Sequence, residues 1–180
     1  MAEQPAPSAQ PELSQLLPIE AIRIGASAAD WRAAVRVAGD ALVASQATDP
    51  AYTDEMIKVV EELGPYMVIA PGIALAHSRP SPAVRHAGVS LVTLAHPVAF
   101  GHRVNDPVRL VVGLAAPDEE GHVTALATLA DYLSDEGRRE ALIGAVDPAE
   151  VRRLVVAFEG QGGHRTEPGV AGEEGRVKPT

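Results

Sequence analysis

Val108-Arg109-Leu110-Val111-Val112-Gly113-Leu114-Ala115-Ala116 is apolar at nearly every position, with Asn105-Asp106-Pro107 before it and an acidic loop after it. Strands exposed on one face alternate apolar and polar residues, whereas a continuous run of this length fits a strand covered on both faces. Val89–Leu94 reads as a second strand of the same composition. Short apolar stretches at 66–69 and 73–75, broken by Pro71-Gly72, precede it.

Helices flank these strands in the chain. Trp31, Val35, Ala38 and Leu42 recur at i, i+4, i+7 and i+11 behind a cap expected at Ser27. A second helix starts at Thr53, carries Met56, Ile57, Val60 and Leu63 on one face, and ends at Gly64-Pro65. Three more are expected near 122–133, 135–144 and 148–158. The last has Asp147 as cap, Pro148 at its first position and Glu150 placed for a capping box. Helices first, strands in the middle and helices last predict an α/β single-domain sandwich, a central mixed sheet flanked by helices.

The chain has 180 residues, enough for one domain with a real core. Aromatics make up 3%, so that core is aliphatic and alanine-rich. The same scarcity argues against a base-stacking surface, and a net charge of −9 against a phosphate-backbone binder, so no nucleic-acid partner is expected. Without cysteine there is no disulfide, thiolate nucleophile or cysteine-held zinc. The N-terminus lacks a signal peptide, and no apolar run approaches the ~20 residues that span a bilayer. The chain reads as a soluble, cytoplasmic protein with no membrane insertion. Residues 1–15 and 160–180 are rich in Pro, Gly, Glu and small polar residues without periodicity. Both are expected to be disordered tails around a domain at 16–159.

The chemistry falls to histidine. There is no G-x-x-x-x-G-K-[ST], G-x-S-x-G, H-E-x-x-H or strand-linked G-x-G-x-x-G. Five of the six histidines lie within 77–122, and His164 falls in the C-terminal tail. His77 directly follows the strand Ile73-Ala74-Leu75, with Ser78, Arg79 and Pro80 after it. His122 follows the 108–116 strand and the acidic loop Asp118–Gly121, and opens a helix with the stripe Leu126, Leu129 and Leu133. The i, i+4 spacing turns His122 toward the sheet. Both imidazoles thus lie beyond strand ends, where open α/β sheets place ligands. A helix starting at 122 would add backbone N–H groups for an anion. An alternative gathers His77, His96, His102 and Asp106 as metal ligands. His86, beside Arg85, reads as solvated.

The segments Gly64-Pro65-Tyr66 and Ala70-Pro71-Gly72-Ile73-Ala74-Leu75-Ala76-His77-Ser78-Arg79-Pro80 resemble the phosphohistidine region of enzyme IIA proteins. These are the mannitol/fructose-type components of the bacterial sugar phosphotransferase system. Gly88–Leu94, Pro97, Phe100, Asn105-Asp106-Pro107-Val108 and Gly121-His122 continue the resemblance in order over roughly 20–157. Gly-Pro-Tyr and Asn-Asp-Pro are shared with the ascorbate-type branch.

The resemblance implies the type-2 enzyme IIA fold and a phosphocarrier. The residue matching His77 accepts a phosphoryl group from phospho-HPr and passes it to a cysteine of a separate enzyme IIB, which serves the membrane enzyme IIC. The residue matching His122 supports the transfer, with Arg79, Ser78 and Asp106 near the phosphoryl group. No cofactor or metal is implied. Ala76 stands where the family usually has Pro, which relaxes the backbone beside His77. A IIA-like module that regulates a transcription factor or transporter is the alternative role. An unperturbed imidazole, with a pKa of ~6.5, is largely neutral at cellular pH, so one nitrogen can attack phosphorus without a base.

Overall fold

The computed structural model describes residues 11–161. Five strands form one sheet in the order β1-β4-β5-β3-β2. They are β1 (Ile22–Ala26), β2 (Val68–Ala70), β3 (Ile73–His77), β4 (Gly88–Val98) and β5 (Val108–Ala115). β5 is central, antiparallel to β4 and parallel to β3, and the outer pairs are parallel (β1–β4) and antiparallel (β2–β3). The expected mixed sheet is therefore present, and β5 is buried along nearly its whole length. The strand at Ile22–Ala26 has no counterpart in the sequence reading. It is a short edge strand interrupted by Arg23 and Gly25, with only Ile22 buried, so it lacks the apolar run of β5.

Strand periodicity sorts the core into two layers. Ala74, Ala76, Val92 and Val111 face α2 (Trp31–Ala44) and α3 (Pro50–Leu63). Ile73, Leu75, Leu91, Leu110, Val112 and Leu114 face α4 (Glu119–Leu133), α5 (Glu136–Ile143) and α6 (Pro148–Gly160). Successive side chains point to opposite faces, so His77 shares the face of Ile73 and Leu75 and looks toward α4.

Helix starts depart from expectation where an acid competes with the expected start. α2 is capped by Asp30, whose carboxylate accepts from Ala33 N–H at 2.9 Å, and not by Ser27. α3 begins at Pro50, three residues before Thr53, because Pro suits the first helical turn. α4 begins at Glu119, since Asp118 is a cap and not part of a loop. In α6 the Asp147 carboxylate accepts from Glu150 N–H at 2.7 Å, while Glu150 reaches back to Val146 N–H, one residue beyond the expected box.

The N-terminal tail expected through residue 15 ends earlier. Leu13–Leu16 forms a short helix, α1, and Leu13, Leu16 and Leu17 are buried in the α4/α6 layer. Arg152 donates to the carbonyls of Ser14 and Leu17, and Ser14 N–H donates to Glu159 at 2.6 Å. Three leucines in five residues supply the anchor that the tail composition concealed. Gly160, expected to open the C-terminal tail, is instead the last residue of α6; residues 1–10 and 162–180 of the expected tails lie outside the described residues. Among the described residues no helix is long and apolar enough to cross a membrane.

The α2 layer approaches β5 closely. Ser90 Oγ donates to Ala38 carbonyl at 2.8 Å, and a Cβ on Gly113 would stand 2.3 Å from that Oγ. Gly113→Ala is expected to destabilise the domain by about 1–3 kcal/mol. Urea unfolding followed by fluorescence of Trp31, the single tryptophan, measures it; an unchanged midpoint would show that the layers can separate freely.

Candidate functional site

β3 delivers His77 at its C-terminal end, and α4 delivers His122 one turn inside its start. The ring centroids lie 5.4 Å apart, tilted by 45°. Both side chains are half-buried, so the pair opens to solvent on one side. His77 Nδ1 lies 3.0 Å from Leu75 carbonyl oxygen. A carbonyl only accepts, so this contact assigns the proton to Nδ1 and leaves the Nε2 lone pair free.

His122 is held differently. Its Nδ1 is buried and has no hydrogen-bond partner among the described residues. With the proton on Nε2, only a lone pair is buried and an N–H donor remains at the open edge. Burial lowers the His122 pKa, neighbouring His77 lowers it further, and Glu119 opposes both. The ring is therefore a neutral donor at pH 7.

One hydroxyl fixes the strand end. Tyr52, fully buried on α3, donates to Leu114 carbonyl at 2.7 Å and accepts from Ser78 N–H at 3.0 Å. Leu114 is the register partner of His77 across β3–β5. The clasp therefore holds the residue after His77 and the one beside it. Burial pushes the Tyr52 pKa up to about 12, so the phenol keeps its proton. Ala76 is fully buried and pairs with Gly113, so pairing runs on to His77 without the family's proline. Tyr66 forms a further wall, 6.1 Å from His77 between centroids and nearly perpendicular at 77°.

The remaining candidates separate. Ser78 adjoins His77, but its N–H is taken by Tyr52; Arg79 is exposed and without an ion pair among the described residues. Asp106 does not lie near His77. It precedes β5, whereas His77 aligns with Leu114, six residues along that strand and roughly 20 Å away at ~3.3 Å per residue. Its carboxylate instead accepts from the N–H groups of Phe100, Gly101 and His102 and shapes that loop. His96 lies near the same distant end of the sheet, because Val98 pairs with Val108. His102 is spent locally, its Nδ1 accepting from Val104 and Asn105 N–H. The alternative metal set is thus dispersed, and no three metal-ligating side chains gather among the described residues. His86 is exposed, as expected, and His164 lies outside the described residues.

The expected anion site at a helix start is also corrected. The helix begins three residues before His122, and Asp118 already accepts Gly121 N–H at 2.7 Å. Glu119 and Glu120 occupy its first turn, so that end is acidic. Beside His77 runs an open cleft of about 530 Å³, lined by Ile69, Leu75, Leu126, Ala130, Leu133 and Arg139 among others. Tyr52 has no counterpart among the expected site residues, and Tyr66 entered only as part of the Gly64-Pro65-Tyr66 motif, without a role; both are among three tyrosines in a chain poor in aromatics.

A mixed sheet, a strand-end histidine and a second histidine facing it make a site that can hold a group on an imidazole nitrogen. The chain belongs to the EIIA 2 family of the phosphoenolpyruvate-dependent sugar phosphotransferase system, whose model matches residues 15–157. It is 38% identical over 135 residues to the ascorbate-specific PTS system EIIA component of Salmonella choleraesuis, covering 74% of this chain and 88% of that protein. The solution structure of the mannitol-specific cryptic phosphotransferase enzyme IIA CmtB from Escherichia coli matches with TM-score 0.73 and 28% identity, over 81% of this chain and 99% of that one. A chain of the complex of enzyme IIA and phosphorylated enzyme IIB for mannitol from Escherichia coli matches with TM-score 0.69 and 30% identity, over 79% and 99%. The protein is a phosphotransferase component that works through a phosphohistidine.

The depressed pKa of His122 has a testable sign. The folded state binds this proton less readily than the unfolded chain, so its contribution to stability is present above the ordinary value near ~6.5 and declines as pH falls through the folded pKa. Histidine-resolved NMR titration should give His122 a midpoint below the ordinary imidazole value near ~6.5, and His77→Ala should raise it. A His122 midpoint unmoved by that substitution would contradict the coupling.

Proposed function

We propose that His77 carries the phosphoryl group, with Nε2 as the attacking atom. The observation that carries this reading is the Nδ1 contact to Leu75 carbonyl, which leaves Nε2 unprotonated in the neutral ring. The Nε2 lone pair attacks phosphorus in phospho-HPr, the P–N bond to HPr breaks, and that electron pair returns to the HPr imidazole. In the second half-reaction a cysteine thiolate of enzyme IIB attacks phosphorus, and the electrons of the broken bond return to His77 Nε2. Each transfer exchanges one P–N or P–S bond for another, so no external general base is needed at His77.

His122 donates from Nε2 to a phosphoryl oxygen, and Arg79 adds a mobile positive charge at the open side. The apolar cleft beside His77 receives the partner's contact surface, excluding water during transfer. The name of the Salmonella relative makes ascorbate the first sugar to test, with HPr and IIB as partners in the cytoplasm. The titled IIA–IIB complex of the mannitol system supports a separate IIB partner.

Incubation with phosphoenolpyruvate, enzyme I and HPr should add one acid-labile, base-stable phosphoryl group to His77, read by mass spectrometry. His77→Ala should remain unlabelled and folded. His122→Ala should label slowly, about a hundredfold below the parent, from the loss of one preorganised donor worth ~3 kcal/mol. Labelling that persists in His77→Ala would overturn the assignment.

A further inference from the structure

A phosphoryl group on His77 would bring three terminal oxygens into a site short of donors. The start of α4 contributes little, because Asp118 holds Gly121 N–H and acidic side chains fill the first turn. Ser78 N–H is committed to Tyr52. Arg79 is exposed. His122 covers one side of the ring.

The Gly64-Pro65-Tyr66 segment brings a second ring against His77. Gly64 ends α3 with φ +81°, a conformation that disfavours side chains, and its N–H closes the helix on Val60 carbonyl. Pro65 carbonyl then accepts from Val68 N–H at 3.0 Å, turning the chain into β2. β2 is antiparallel to β3, and Leu75 N–H donates to Met67 carbonyl at 2.8 Å. Tyr66 lies in the turn that enters β2, and there its ring centroid stands 6.1 Å from that of His77. Tyr66 is 45% exposed. Its hydroxyl has no hydrogen-bond partner among the described residues, in contrast to the fully engaged hydroxyl of Tyr52.

We propose that Tyr66 is a catalytic residue whose phenol O–H donates a hydrogen bond to an oxygen of the phosphoryl group on His77. This rests on the assignment of His77 as the phosphorylated residue. The phenol remains neutral throughout and transfers no proton; it holds the phosphoryl dianion by a charge-assisted hydrogen bond. Because that bond exists only while His77 is phosphorylated, it stabilises the loaded carrier relative to the free one and slows attack by water.

The test uses Tyr66→Phe, which keeps the ring and any apolar contact with HPr but removes the hydroxyl. Purified protein is equilibrated with phospho-HPr, and the loaded fraction is read by mass spectrometry. The lifetime of the isolated phosphorylated protein and its ³¹P chemical shift are read by NMR. Loss of a hydrogen bond to a charged group should shift the equilibrium about tenfold toward phospho-HPr, shorten the lifetime by a similar factor and move the ³¹P resonance. The KM for phospho-HPr should stay within twofold, because the docking surface is intact. Equilibrium, lifetime and chemical shift all matching the parent would overturn the proposal, as would a change confined to KM. Absence of label in the parent, or its persistence in His77→Ala, would instead refute the His77 assignment.

Discussion

The placement of the candidate nucleophile depends on one buried hydroxyl. Tyr52 projects from α3 under the C-terminal end of β3 and bonds both Ser78 N–H and Leu114 carbonyl, two backbone groups on adjacent strands. A strand end normally frays, because its last donors and acceptors lose their ladder partners. Here the ladder is extended by one side chain, and a buried polar bond of this kind is costly to leave unmade. His77 is consequently presented from a fixed backbone while its ring stands in a half-open site. Its own Nδ1 bond to Leu75 carbonyl then removes the remaining rotational choice.

The sheet divides labour between its two ends. At one end, the C-terminus of β3 and the first turns of α4 bring His77, His122 and Tyr66 together. At the other, Asp106 gathers three backbone N–H groups and His102 two more, so side chains that could have been ligands are used to shape a loop. This separation argues against a metal cluster of His77, His96, His102 and Asp106, since those side chains lie at opposite ends of the central strand.

Much of this was legible in the sequence where a pattern has a single physical solution. The unbroken run at 108–116 had to be a strand buried on both faces, and Leu75 and His77, two apart, had to share a face. The apolar stripe of α4 likewise turned His122 toward the sheet, although the helix begins earlier than its stripe suggests. Three features stayed hidden because their causes are non-local. β1 is held by pairing with β4 and not by its own composition. α1 is held by Arg152 and Glu159, more than a hundred residues away. The clasp of Tyr52 joins points that only the fold brings together, and no spacing along the chain announces it.

On the proposed assignment, backbone bonding selects the reactive nitrogen of His77 before any partner arrives. Long-range ¹⁵N–¹H correlation of the histidine rings measures this directly, first in the unmodified protein and then after phosphorylation. Selection by the Leu75 carbonyl requires the Nδ1–H tautomer of His77 in the free protein and phosphorus coupling to Nε2 in the loaded one. An Nε2–H tautomer in the free protein, or phosphorus attached to Nδ1, would contradict it.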